Sequence, residues 1–184
     1  MHLEWHLEAA NNPDTWETAA DDLLNASGVL TREREAVLKR EPEHTDVKSA
    51  LAATMLRPVE LMLRGMALEC LMKAVWLKRG GRFVEGDGFR DFAGGRKHDL
   101  IEMANALRLK LLPREEDVLD HLTAFVRFAG RYPVPIRASE SPLRPIRDSG
   151  GMAAPTVWSS HDDANFGDIL ANVKRELIAP THKQ

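Results

Sequence analysis

Three observations predict an all-α fold. Apolar residues recur at helical spacing along most of the 184 residues, no run alternates β-branched with polar residues, and helix start and stop signals punctuate the chain. Together they give a single helical bundle of five to six helices. It spans residues 1–184 as one domain, with a long Pro/Ser/Gly-rich loop, 136–160, before the last helix. A chain of this length buries an apolar core without disulfide or metal staples.

The elements follow in order. Asn12-Pro13-Asp14 is a start signal, with Asp14 as N-cap of a helix through Trp16, Ala19, Leu23 and Leu24. Gly28 interrupts it, and a second segment over Thr31–Lys39 carries Glu33 and Glu35 in its first turn, where acids suit the helix dipole. Pro42 ends that segment. The strongest helix starts at Thr45 or Asp46 and runs to Arg79, with Pro58 kinking it or starting a new helix. From Leu61 to Trp76 it is apolar on almost every side, with Leu63, Met66, Leu68, Leu71 and Val75 between. That pattern belongs to a central helix covered by neighbours on several faces. Gly80-Gly81 stops it, and 80–97 reads as a long loop. His98–Leu107 is a short amphipathic helix. Pro113 opens another, on which Val118, Leu122, Phe125, Val126 and Ala129 form one apolar face; Gly130, Pro133 and Pro135 end it. The last helix covers about Asp162–Leu177, with Ser159-Ser160 or Asp162 as caps.

Composition narrows the function classes. The single cysteine, Cys70, excludes an internal disulfide framework and a Cys-rich zinc site, and suits a reducing cytoplasm. No secretory signal is visible at the start, and no run of about 18 uncharged apolar residues would span a membrane. Lys and Arg number 25 against 28 Asp and Glu, a net charge of −3. Residues 1–60 carry twelve acids and six bases, so the remainder is mildly basic. The richest basic stretch runs from Arg127 to Arg147, with five arginines set against Glu140 and the neighbouring Asp148. A general DNA-coating role needs a larger basic excess, because phosphate affinity comes mainly from counterion release, whereas local contact with RNA does not.

Several residues could carry chemistry. Glu69 and Lys73 sit one helical turn apart in the apolar central helix, in the favoured order with Glu first. They read as a buried ion pair fixing helix register or as the polar floor of a cleft. His98-Asp99 follows a glycine-rich stretch. Asp99 suits a helix start, and His98 either caps, bonds Glu69, or serves as a general acid/base or phosphate contact. Arg127 and Arg131 are four apart beside Tyr132, the only tyrosine; they complement a helix C-terminus or contact a phosphate and a base. Cys70 reads as an inert buried thiol. The two His-Asp pairs, His98-Asp99 and His161-Asp162, prompt a metal-dependent phosphohydrolase reading. Both fall at helix starts, where Asp is explained without metal, so no metal and no cofactor is expected. No glycine run has the spacing of a phosphate-binding loop.

The stretch Ala67-Leu68-Glu69-Cys70-Leu71-Met72-Lys73-Ala74, a glycine-rich loop, and then His98-Asp99-Leu100-Ile101-Glu102-Met103-Ala104 resembles the HEPN superfamily (higher eukaryotes and prokaryotes nucleotide-binding domain). The likeness covers about residues 50–135, ending in Gly130-Arg131-Tyr132-Pro133, which is similar to a segment in uncharacterised bacterial branches. It implies a helical bundle that often dimerises, and in many members a metal-independent ribonuclease of toxin–antitoxin, phage-defence or RNA-processing systems. The nuclease motif of that family is an Arg, four to six residues, then His. Here Arg114 to His121 and Arg175 to His182 have that spacing, but chance alone supplies about two such pairs, and no histidine follows in range at Arg131-Tyr132-Pro133, where the motif is expected. If Arg114 and His121 are catalytic, His121 moves the proton of a ribose 2′-hydroxyl and an arginine stabilises the phosphorane charge.

The departure from the motif favours the other reading. The expectation is a cytoplasmic, homodimeric, non-catalytic binding module that contacts RNA, a nucleotide or a protein partner. Its site residues are Arg127, Arg131, Tyr132, Glu69, Lys73 and His98. The alternatives are the ribonuclease using Arg114 and His121, and a purely structural interaction protein in which Glu69, Lys73 and His98 form a buried polar network.

Overall fold

A computed structural model describes residues 8–39, 47–85, 88–89, 92, 98–129, 144–147, 152–153 and 158–178. It is the all-α bundle expected from the sequence. After a helical turn at 8–11 come α1 (Pro13–Leu38), α2 (Val47–Lys78), α3 (Leu100–Ala106), α4 (Pro113–Ala124), which continues as a π-helical turn over Phe125–Ala129, and α5 (Ser160–Ile178). Among the described residues, the only strands are two-residue ladders: β1 (Val84–Glu85) with β2 (Gly88–Phe89), and β3 (Arg144–Pro145) with β4 (Met152–Ala153), both antiparallel.

Helix α1 begins two residues earlier than the sequence suggests. Asn12 is the N-cap, its side-chain oxygen accepting the Asp14 N–H at 3.0 Å. Pro13 takes the first helical position, where its missing N–H costs nothing. Nor does Gly28 break the helix. The Thr31 hydroxyl donates to the Ser27 carbonyl at 3.1 Å, and Thr31 is mid-helix and not a cap. A single helical glycine costs about 1 kcal/mol, which the packing of α1 along α2 outweighs. Pro42, the expected stop, lies outside the described residues.

Helix α2 is one element of 32 residues, about 48 Å long. Pro58 lies inside it and neither ends nor restarts it. Its middle is the centre of the core: Leu61, Ala67, Leu68, Leu71, Met72, Ala74 and Val75 are at most 1% exposed. Every other helix packs against it. Met66 departs from the all-round apolar reading, because its face stays open to solvent. Gly65 sits where α4 crosses: a Cβ there would lie 2.5 Å from the Val126 side chain and 3.2 Å from the Leu122 carbonyl oxygen. Only a glycine lets the two backbones approach so closely.

The stop at Gly80-Gly81 is a Schellman motif. The Gly80 N–H donates to the Leu77 carbonyl (2.9 Å), the Gly81 N–H to the Trp76 carbonyl (3.0 Å), and Gly80 adopts φ +90°. The stretch after it is not simply a loop. Asn11 clamps the β1 strand, accepting from the Phe83 and Val84 N–H groups and donating to the Val84 carbonyl. Phe83 and Phe92 are buried, Phe92 stacked on Trp76.

Helix α3 starts at Leu100, two residues later than expected, because His98 takes a left-handed backbone (φ +67°) and Asp99 is the N-cap, accepting the Glu102 N–H at 3.0 Å. Glu115 caps α4 by accepting the Leu112 N–H at 2.6 Å. Ser159 caps α5 in a capping box with Asp162. Of the 136–160 segment, the described part is held to α4 by Arg147, whose guanidinium meets Glu116 (3.2 Å), Asp117 (2.6 Å) and Asp120 (2.6 Å). Among the described residues, no helix is long and apolar enough to cross a membrane.

Candidate functional site

The described residues singled out in the sequence fall into two groups. Glu69, Lys73, His98 and Arg127 come together. The Lys73 ammonium donates to one Glu69 oxygen at 2.7 Å and the His98 Nδ1–H to the other at 2.8 Å. Lys73 also lies 4.6 Å from the Trp16 ring centroid, a cation–π contact across to α1. Next to His98, Asp99 divides its oxygens between the α3 backbone and Arg127 Nη2, at 3.1 Å. The Leu100 N–H donates to the Thr123 hydroxyl at 3.1 Å. The left-handed turn at His98 thus pins the start of α3 to α2 through Glu69 and to the end of α4 through Asp99 and Thr123. Burial pushes the Glu69 carboxyl up, but the charge and hydrogen bond of Lys73, together with His98, outweigh it and hold the group below its ordinary value. The neighbouring Cys70 thiol is pushed up to about 11, chiefly by burial, against the opposing charge of Lys73. It is a weak nucleophile in this state.

Arg114 and His121 are placed differently. Arg114 is exposed at the start of α4, while His121 is buried two turns on, about 10 Å along the axis. The imidazole lies beside Phe125 (5.5 Å between centroids) and Trp158 (5.6 Å). Arg131 and Tyr132 lie outside the described residues.

A second polar cluster was not singled out in the sequence. Glu60, on α2, is fully buried and receives three arginines: Arg34 Nε from α1 at 3.1 Å, Arg57 Nη1 at 2.8 Å and Arg64 Nη2 at 2.9 Å. Arg64 reaches further, to the carboxylate of Asp163 on α5 and to the Ser27 and Thr31 hydroxyls on α1. Its guanidinium lies 5.2 Å from the Phe166 centroid and 6.0 Å from that of Trp158. The Trp158 N–H donates to Asp163 at 2.9 Å. Burial raises the Asp163 carboxyl, and the hydrogen bonds and charge of Arg64 bring it below its ordinary value. Part of this cluster was visible in the sequence, since Arg57-x-x-Glu60-x-x-x-Arg64 places all three on one helix flank. Arg34 and Asp163 come from other helices, and no local spacing points to them.

Among the described residues, no three His, Cys, Asp or Glu side chains gather as a metal site. Comparison with known proteins adds no relative: no family model, no curated protein and no solved structure matches the chain.

Proposed function

We propose that the protein is a HEPN-like binding module that contacts RNA through its phosphates and does not cleave it. The observation that carries the non-catalytic part is the pairing of Glu69. Both its oxygens are engaged, by Lys73 and by His98 Nδ1, so the acid and base of this wall are spent on each other and on fixing α3. A general base has to meet the proton it abstracts within hydrogen-bond reach, and the other candidate histidine, His121, is buried beside two aromatic rings. The order of the Glu69–Lys73 and His98-Asp99 segments supports the HEPN likeness. In this reading the module works as a cytoplasmic homodimer without a cofactor.

The test is incubation of a mixed RNA pool with the metal-free protein, read on a native gel for binding and on a denaturing gel for cleavage, wild type beside His121→Ala. Retarded, intact RNA is the expected result. Cleavage by the wild type that disappears in His121→Ala would overturn the reading and establish a metal-independent ribonuclease. RNA that is neither retarded nor cut would remove RNA as the ligand.

A further inference from the structure

We infer that Arg34 and Arg57 form a binding site for a single phosphodiester group, organised from beneath by the buried carboxylate of Glu60. The inference rests on the RNA reading only for the source of the phosphate; the chemistry of the site stands on the guanidinium geometry.

The first argument is charge. Among the described residues, Arg34, Arg57 and Arg64 face two carboxylates, Glu60 and Asp163, which leaves one positive charge in surplus. Compensating a buried Glu60 needs one arginine, and a second cation of the three is matched by Asp163. Holding a third against the cluster is unfavourable unless an anion joins it. The nearby Glu35 does not fill that role, since it pairs with Lys39 at 3.3 Å.

The second argument is the open donors. Arg34 spends only its Nε on Glu60, and Arg57 only its Nη1. No described residue pairs with the two terminal amino groups of Arg34 or with the Nη2 of Arg57. A guanidinium presents its remaining N–H groups as a planar fork that fits the oxygens of a phosphate. The side chains are 14% and 19% exposed, so a ligand reaches them while water screens them little. Both are already fixed by the same carboxylate, one from α1 and one from α2, and binding has little rotamer freedom left to remove.

The third argument is the match. A phosphodiester carries one negative charge and two non-bridging oxygens, which answers one surplus cation and two open forks. A phosphate monoester would bring a charge too many, and a base edge would leave the charge unanswered.

The test is fluorescence anisotropy of a labelled mixed-sequence single-stranded RNA against the full-length protein at several salt concentrations. Wild type is compared with Arg34→Gln, Arg57→Gln and, as a control on another face of the same helix as Arg34, the exposed Arg32→Gln. The expected result is about tenfold weaker binding for each of the first two. The slope of log K against log salt should become shallower by about 0.7, one single-strand phosphate, with Arg32→Gln close to wild type. Folded Arg34→Gln and Arg57→Gln proteins with unchanged affinity and slope would overturn the site and leave the RNA reading intact. An equal loss in Arg32→Gln would also overturn it, because diffuse charge would then explain the effect. If wild type does not bind RNA, or if a glutamine variant fails to fold, thermal melting of the wild type in dimethyl phosphate, a phosphodiester monoanion, against chloride at constant ionic strength decides. A rise in Tm specific to dimethyl phosphate upholds the site, with a phosphodiester other than RNA as its ligand if RNA does not bind; no rise overturns it.

Discussion

Glu60 and Glu69 stand two and a half turns apart on the same helix, both buried, and each gathers cations from neighbouring elements. Their partners differ in kind. Around Glu69 the account is even: one lysine and one histidine for two carboxylate oxygens, each contact closed on itself. Around Glu60 three arginines converge, none of which can lose its proton in a protein, and their donors outnumber the acceptors. A closed network fixes structure. A network with cations and donors to spare also fixes structure, but it keeps an attraction for anions that the first one lacks. The difference gives the two clusters different tasks in the proposed account: Glu69 sets the position of α3, and Glu60 organises the proposed phosphate site.

The largest effect should come from Glu60→Ala. Removing a fully buried carboxylate leaves three guanidinium groups facing one another, and breaking a buried charge pair in this way costs about 3–5 kcal/mol. Urea or guanidinium denaturation of the purified variant measures the loss, and failure to express as folded protein agrees with it. A loss under 1 kcal/mol would mean that the arginines relax into solvent, and the contrast between the two carboxylates would disappear.

Glu69→Gln should cost less, about 1–2 kcal/mol at neutral pH, since the amide keeps one acceptor for Lys73 or His98. The penalty also depends on pH. The carboxyl of Glu69 in the folded protein lies below its ordinary value of 4.5. Its ionisation therefore contributes stability that is complete above the unfolded value and fades as pH falls through the folded one. Denaturation midpoints of wild type and variant should converge as the pH falls below the ordinary value of 4.5 and through the lower folded one. Parallel curves throughout the acid limb would show that Glu69 is not the titrating group of this network.

The smallest effect should be a gain. At Gly28, on α1 close to the Glu60 cluster, an added Cβ would meet only the tip of Arg32, at 3.5 Å. Gly28→Ala should stabilise the helix by about 0.5–1 kcal/mol and leave RNA affinity unchanged, as a rise in Tm without a change in binding isotherm would record. Altered binding would show that the α1 backbone must flex for the Arg34 side to work.

Much of this contrast was local and hence legible from the sequence. The Glu69–Lys73 ion pair follows from helical spacing, whereas the contact of His98 with Glu69, across 29 residues, was one of several open readings of that histidine. The central apolar helix and its glycine stop were equally direct. What escaped was non-local. Arg34 meets Glu60 across 26 residues and two helices, and Arg64 meets Asp163 across 99; spacing carries no information about such pairs. The misread signal at Gly28 has the same origin. A single helix-weakening residue costs a few kcal/mol at most, and α1 and α2, packed along each other, supply more than that. At Asp14 the local signal was read two residues too late, because Pro13 already belonged to the helix.

The contrast between the two clusters is tested most directly by side-chain NMR of the intact protein, following the arginine Nε–Hε and histidine ring signals as a short single-stranded RNA is added at constant salt. The expected result is saturable movement of the Arg34 and Arg57 signals with those of His98 unmoved. Movement at His98 with Arg34 and Arg57 still would contradict the assignment and transfer the binding surface to the Glu69 end of the helix.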